Sequence, residues 1–417
     1  MKGKIIYNIY KLNFNFTFIR RRNEKNSFFN SLVFKLILGI IIGIFVGRIS
    51  NESAIIVINT IKRVMGDLIG YIVPLIILGF ITPAIVSLKE SAGKILSVTL
   101  VICYLSSVGA ATMSFLAGRA IIPRLNIASN VGAGNVIPES IFKLSIDPIM
   151  PVMTALVTSI LFGIAVIVTK SEHWENLLME LNKIVLSIVN NFVIKILPVY
   201  IATTFAVLSY EGAIISELPV FLKIILIVIL GHFIWMTLMY SLAGAISKTN
   251  PKEVFRHYLP AYLTAVGTMS SAATLPVALE CARKSDTLDP KIRDFAIPLC
   301  SNTHLCGSVL TEVFFVMTVS QILNGKLPET SNMIVFIVLL GIFAIAAPGV
   351  PGGTVVASLG LITSVLGFND TGTALMLSIF ALQDSFGTAC NVTSDGAIAL
   401  MVTGIFKKVP SRERIKK

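Results

Sequence analysis

Four polar residues, Asp384, Thr388, Asn391 and Asp395, interrupt the apolar run "LSIFALQDSFGTACNVTSDGAIALMV" at spacings i, i+4, i+7 and i+11. At about 3.6 residues per turn they share a stripe roughly 60° wide on one helix face. A carboxylate at bilayer depth costs about 2.5 to 3.5 kcal/mol on insertion scales, so two that face inward need a cation or a positive partner. No Lys or Arg lies nearby in sequence. Asn391 and Asp395, one turn apart, offer oxygen ligands for a hard cation such as Na+, and Asp384 can face an ammonium group. The alternative is that Asp395 is solvated near the cytoplasmic end of its helix and Asp384 pairs with a distant basic residue.

Two other stretches could complete such a site. In "GTMSSAATLP", Ser270, Ser271 and Thr274 crowd against Pro276, and in "AAPGVPGG", Pro348 and Pro351 remove donors while Gly349, Gly352 and Gly353 permit conformations other residues resist. Broken helix at membrane depth survives only when shielded by protein or lining a wet cavity. Free amides and helix N-termini there could hold a carboxylate. The serines also have a structural reading, since Ser and Thr bond to backbone inside membrane helices. His304, in "LCSNTHLCGSVLTE", has two readings of equal weight: a satisfied structural donor, or a ligand or proton carrier.

Other chemistries lack their parts. His173, His232, His257 and His304 have no nucleophile, metal cluster or nucleotide loop beside them, so no enzyme is expected. The five cysteines show no CxxC or Cys/His spacing and read as small buried residues. A net charge of +12 could suggest nucleic acid, but blocks such as "RRRNEK" and "KKVPSRERIKK" sit at the two ends. That placement predicts cytoplasmic termini, contact with lipid and no nucleic-acid partner. Paired tips with buried ligands suit occlusion of one solute better than an open channel.

The elements that must position these residues are membrane helices. The chain of 417 residues is 55% hydrophobic and 13% charged, with a mean hydropathy of +0.84, which predicts an integral membrane protein. Spans are expected near 31–48, 56–87, 95–120, 149–170, 178–208 and 217–247. Beyond Ser247 the apolar stretches shorten. A unit from Glu253 to Asp289 that breaks at "SSAATLP", and one from about Asn332 to Gly367 that breaks at "AAPGVPGG", predict two re-entrant hairpins of opposite orientation. A long apolar segment follows each. The expected fold is therefore all-α, with eight transmembrane helices plus two re-entrant helical hairpins. Its divisions are a basic tail (1–30), helices 1–6 (31–247), a core of hairpins and helices 7 and 8 (248–408) and a second basic tail (409–417).

At "SSAATLP", "AAPGVPGG" and "TACNVTSDG" the chain resembles the dicarboxylate/amino acid:cation symporter family, the glutamate-transporter-like proteins, over about residues 31 to 408. The resemblance implies a homotrimer with a scaffold and a transport core that moves as a unit, and the short tails lead to the expectation of a plasma (inner) membrane. It implies that Asp384 meets a substrate amino group and that Asn391 and Thr388 surround the substrate backbone. Ser271 and the backbone of Gly349, Val350, Pro351 and Gly352 would clasp its carboxylate, with Ser270, Ser308 and Gly387 completing the set. Asp395, Asn391 and the Cys300 carbonyl would hold sodium, with His304 beside them and Tyr104 and Ser107 near a further ion.

Departures from the family pattern shape the expected function. The seventh-span pattern Asn-Met-Asp-Gly-Thr stands here as His304, Leu305, Cys306, Gly307 and Ser308, so a hard anionic oxygen becomes a soft sulfur. Fewer coupled sodium ions than in the typical member, or coupling in part to protons, are expected. The arginine that recognises acidic side chains is Gly387, and the first-hairpin arginine of some members is Met269. Without a bidentate arginine a second carboxylate is costly to bury, so a small neutral amino acid is the expected substrate, carried by cation symport. An acidic substrate, or exchange with weak cation coupling, is the alternative.

Overall fold

The computed structural model describes residues 32–87, 94–125, 137–144, 146–212 and 214–406, and the expected basic tails at 1–30 and 409–417 lie outside them. Among the described residues the regular structure is entirely helical. The first helices are α1 (Leu32–Ile49), α2 (Glu52–Ser87), α3 (Lys94–Ile121) and α4 (Val152–Thr169). Then α5 (Glu172–Ile188) runs through a π-helical turn at Val189–Val193 into α6 (Ile194–Glu211), and α7 (Ile214–Ser247) follows. These positions lie within a few residues of the apolar runs in the sequence. Among the described residues, six helical stretches are long and apolar enough to cross a membrane.

The first half is held by close backbone approach. Gly39, Gly43 and Gly47 repeat at four-residue intervals along α1 and face α6. A Cβ at Gly39 would stand 2.7 Å from the Pro198 oxygen, and one at Gly43 or Gly47 would fall on the carbonyls of Ala202 and Ala206. Small residues at this spacing let membrane helices pack without a hydrophobic driving force between them.

The second half is short and interrupted. A single turn, α8 (Lys252–Phe255), leads to α9 (Leu259–Thr268) and α10 (Ser271–Arg283), then α11 (Pro290–Thr303) and α12 (Cys306–Asn324). After these come α13 (Thr330–Ala346), α14 (Gly353–Ser364) and the unbroken α15 (Asp370–Phe406). Two details depart from the sequence reading. The first break falls at Met269 (φ +53°) and Ser270, so "SAATLP" is already the start of α10, with Pro276 inside it. Ser270 stops α9 because its extended backbone and hydroxyl cap the next helix. The seventh segment is also broken, at His304 and Leu305, for a reason that lies in α15.

Helices α7, α9 and α12 pack along α15, and α3, from the first half of the chain, packs on α12 and α13. The loop end of this assembly is tied by Glu253 of α8, which accepts the Ser285 hydroxyl at 2.5 Å and the Thr287 hydroxyl at 2.8 Å, joining it to the α10–α11 connection. Burial pushes the Glu253 carboxyl up, but those hydroxyls, the Asp286 amide and His257 outweigh it and hold it below the ordinary glutamate value.

Two outcomes follow from this packing. Gly43→Leu forces α1 off α6 and lowers stability by about 1 to 3 kcal/mol, read as a drop in the midpoint of thermal unfolding in detergent. Because the folded Glu253 value is depressed, its contribution is complete above the unfolded value of about 4.3 and is lost as pH falls through the folded value. Glu253→Gln removes that part of the acid sensitivity, as a comparison of melting curves across the acid range shows.

Candidate functional site

The stripe on α15 is buried: Asp384 is met by the turn between α13 and α14, and Asn391 and Asp395 are both met by the break between α11 and α12. Asp384, only 4% exposed, accepts the Gly352 amide at 2.7 Å through Oδ2. Gly352 has φ +69°, the left-handed region in which glycine turns the chain freely and aims its amide at α15. A turn from Pro348 to Gly353, closed by Val350 N to the Pro348 oxygen at 2.8 Å and Gly353 N to the Val350 oxygen at 2.9 Å, presents that amide. Thr388 lies one turn further along the same face of α15.

The two tips touch each other. The Ser270 hydroxyl donates to the Gly349 carbonyl at 2.7 Å and accepts the Ala273 amide at 3.2 Å, so one side chain caps α10 and latches it to the α13–α14 turn. Only glycine fits at 349, since a Cβ would stand 2.8 Å from the Ser301 carbonyl of α11. Ser271 is buried in the first turn of α10. Val350 and Pro351 form the rest of the turn, half-buried.

Asn391 explains how α12 can begin in the middle of the protein. Its Oδ1 accepts Gly307 N at 2.7 Å and Ser308 N at 3.3 Å, and its Nδ2 donates to Ser308 Oγ at 2.9 Å. A helix start leaves orphan amides, and here a side chain from another helix accepts two of them. Close approach makes this possible, because a Cβ at Gly307 would stand 2.5 Å from the Gly387 oxygen. The space beside Gly387 is thus bounded by α12: a Cβ there would lie 3.4 Å from Ser308 Cα.

Asp395 meets His304. Its Oδ1 accepts from Nδ1 at 2.8 Å, Nε2 lies 2.9 Å from Ser106 Oγ on α3, and the His304 amide donates to the Cys300 oxygen at 2.9 Å. Carboxylate, imidazole and hydroxyl in this order resemble an acyl-transfer relay. Exposures of 1%, 0% and 5% for Asp395, His304 and Ser106 keep any solute from the hydroxyl in this conformation. Ser106 is therefore the α3 residue at this cluster. The Ser107 hydroxyl is buried with no partner among the described residues, and the Tyr104 hydroxyl donates to the Val338 carbonyl of α13 at 3.3 Å.

Sequence reasoning also missed Glu312 of α12, which is fully buried. The Ser358 hydroxyl of α14 donates to its Oε1, and Oε2 has no partner among the described residues. The available signal was a single acid in the apolar run "LTEVFFVM". A cavity of about 510 Å³, lined by Phe80, Ala84, Asn182, Asn302, Thr303 and Pro348, reaches the turn of the second tip from between α2 and α5.

Asn391→Ala leaves the Gly307 and Ser308 amides without their acceptor in a dry setting, so it destabilises the protein by about 1 to 3 kcal/mol. Thermal unfolding of the purified variant checks this, and an unchanged midpoint would mean that solvent satisfies those amides.

Comparison with known proteins fits these features. Residues 32–405 match the sodium:dicarboxylate symporter family. The chain is similar to the Caenorhabditis elegans protein glt-6, at 31% identity over 180 residues, which are 43% of this chain and 32% of that protein. It is similar to human excitatory amino acid transporter 5 at 29% over 168 residues (40% and 30% of the two chains). Human excitatory amino acid transporter 1 gives 26% over 185 residues, 44% and 33% of the two chains. The matched segments span about a third of the length of these curated relatives. With a family match that runs through nearly all of its described helices, the chain belongs to the sodium:dicarboxylate symporter family.

Proposed function

We propose that this protein is a secondary active transporter that carries an amino acid across the membrane by cation symport. One observation carries the reading: the Asp384 carboxylate, buried in α15, accepts a single tip amide at 2.7 Å. That amide does not neutralise its charge. An ammonium group can replace the amide, and the freed tip amides and the Ser270–Ser271 turn can then receive the carboxylate of the same zwitterion. Gly352 is a hinge able to make that exchange.

In this reading the layout is eight transmembrane helices with α9–α10 and α13–α14 as re-entrant hairpins, both termini cytoplasmic in a plasma (inner) membrane. Residues 31–247 supply the scaffold and, through α3, which packs on α12 and α13, part of the transport core, and 248–408 supply the rest of the moving core of a homotrimer working by an elevator motion. The cavity beside Asn302, Thr303 and Pro348 is a route from one side of the membrane to the second tip.

A neutral substrate suits Gly387 and Met269, which leave the tips without an arginine. The names of the relatives, excitatory amino acid transporters, favour an acidic substrate as the second reading. Sodium is the coupling ion that the family name implies. Protons have a carrier in Glu312, a buried carboxyl faced by a hydroxyl and not by a cation among the described residues.

The test is uptake of labelled amino acids into proteoliposomes with sodium and proton gradients imposed separately. Gradient-driven uptake of a small neutral amino acid is expected. Loss of a buried charge pair costs about 2 to 5 kcal/mol, so Asp384→Ala should lower uptake at least about tenfold. Uptake of glutamate or aspartate alone would select the second reading, and no flux under either gradient would refute symport.

A further inference from the structure

The expected sodium position at Asp395 can be tested against the hydrogen bonds around it. A hard cation needs several oxygen lone pairs converging on one point. Asp395, Asn391 and the Cys300 carbonyl are the groups assigned to it, and one oxygen of each, Oδ1 in the two side chains, already accepts from an N–H. Asp395 Oδ1 takes the His304 ring at 2.8 Å, and the Cys300 oxygen takes the His304 amide at 2.9 Å. Asn391 Oδ1 takes both Gly307 N and Ser308 N. All these donors belong to the five residues from His304 to Ser308, the segment in which the chain breaks between α11 and α12. The ring cannot step aside cheaply, because it is fully buried and its other nitrogen is engaged by Ser106 at 2.9 Å. Cys306, fully buried in the first turn of α12, adds a thiol and no hard oxygen. These residues do not fit sodium.

We infer that no sodium ion binds at Asp395, and that His304 is a tethered substitute for the ion, its Nδ1–H occupying the carboxylate where the cation would sit. The break between α11 and α12 is then fixed to α15 by the chain itself, whatever the sodium concentration. Sodium that drives transport has to act elsewhere in the protein. The inference rests on the transporter reading only for its consequence; the binding claim stands on its own geometry.

The experiment is thermal unfolding of the purified full chain in sodium against choline, which needs no transport. Wild type and Asp395→Asn should show the same sodium response, in both size and midpoint concentration. His304→Ala, which vacates the donor position, should gain a sodium-dependent rise that the double variant with Asp395→Asn lacks. A sodium midpoint raised about tenfold or more by Asp395→Asn alone, a loss of about 1.4 kcal/mol in binding, would overturn the inference. Should the variants fail to fold, ¹⁵N-histidine resonances of the wild type decide: the His304 ring signals stay unchanged between choline and sodium if the inference holds, and a sodium-dependent shift refutes it. Absence of uptake in the proteoliposome assay would end the transporter reading without touching this result.

Discussion

A polar group buried in an apolar surround must be met by another polar group, and α15 carries three such demands on one face. Asp384, Asn391 and Asp395 cannot be satisfied within their own helix, and each finds its partner in a place where another helix is broken. The dependence runs in both directions. Broken helices expose orphan amides at Gly352, Gly307 and Ser308, and the side chains of α15 are the acceptors that make those breaks tolerable. Stripe and breaks therefore specify one another.

This mutual dependence sets what the sequence could reveal. Hydropathy suffices for the position of each long helix, because twenty apolar residues have few other fates in a chain of this composition. The break at Pro348–Gly352 carries its own signal in proline and glycine. The break at His304 and Leu305 does not: neither residue forbids helix, and both leave the helical conformation only because Asn391 and Asp395 reward the segment from across the interface. Pairings of this kind are tertiary facts. The same holds for Ser106, since neighbouring positions on a helix point about 100° apart and spacing alone cannot say which hydroxyl of "LSSV" faces His304. Glu312 escaped notice because one acid in an apolar run looks the same whether it meets lipid, water or Ser358.

The three attachments along α15 differ in strength. Near Asn391 and Asp395, close approach of Gly307 to Gly387 and interlocking bonds to fully buried partners make a rigid joint. Around Asp384, the attachments are one amide and the latch from Ser270 to Gly349, both carried on turns. Local opening draws on segments with few buried contacts, so motion belongs at the tips and rigidity at the far end of the stripe. A carrier needs this division, with one end of the site able to exchange its partners while the other keeps the helices in register.

The account's central claim is that the tip amides at Gly352 and its neighbours leave Asp384 for a substrate carboxylate when an amino acid binds. Hydrogen exchange of the purified protein, followed at residues 268–274 and 347–356 with and without an amino acid that it transports, tests this most directly. The account predicts that exchange changes at both tips while the amides of Gly307 and Ser308 stay equally protected. Unchanged tips, or a change confined to the α11–α12 break, would contradict it.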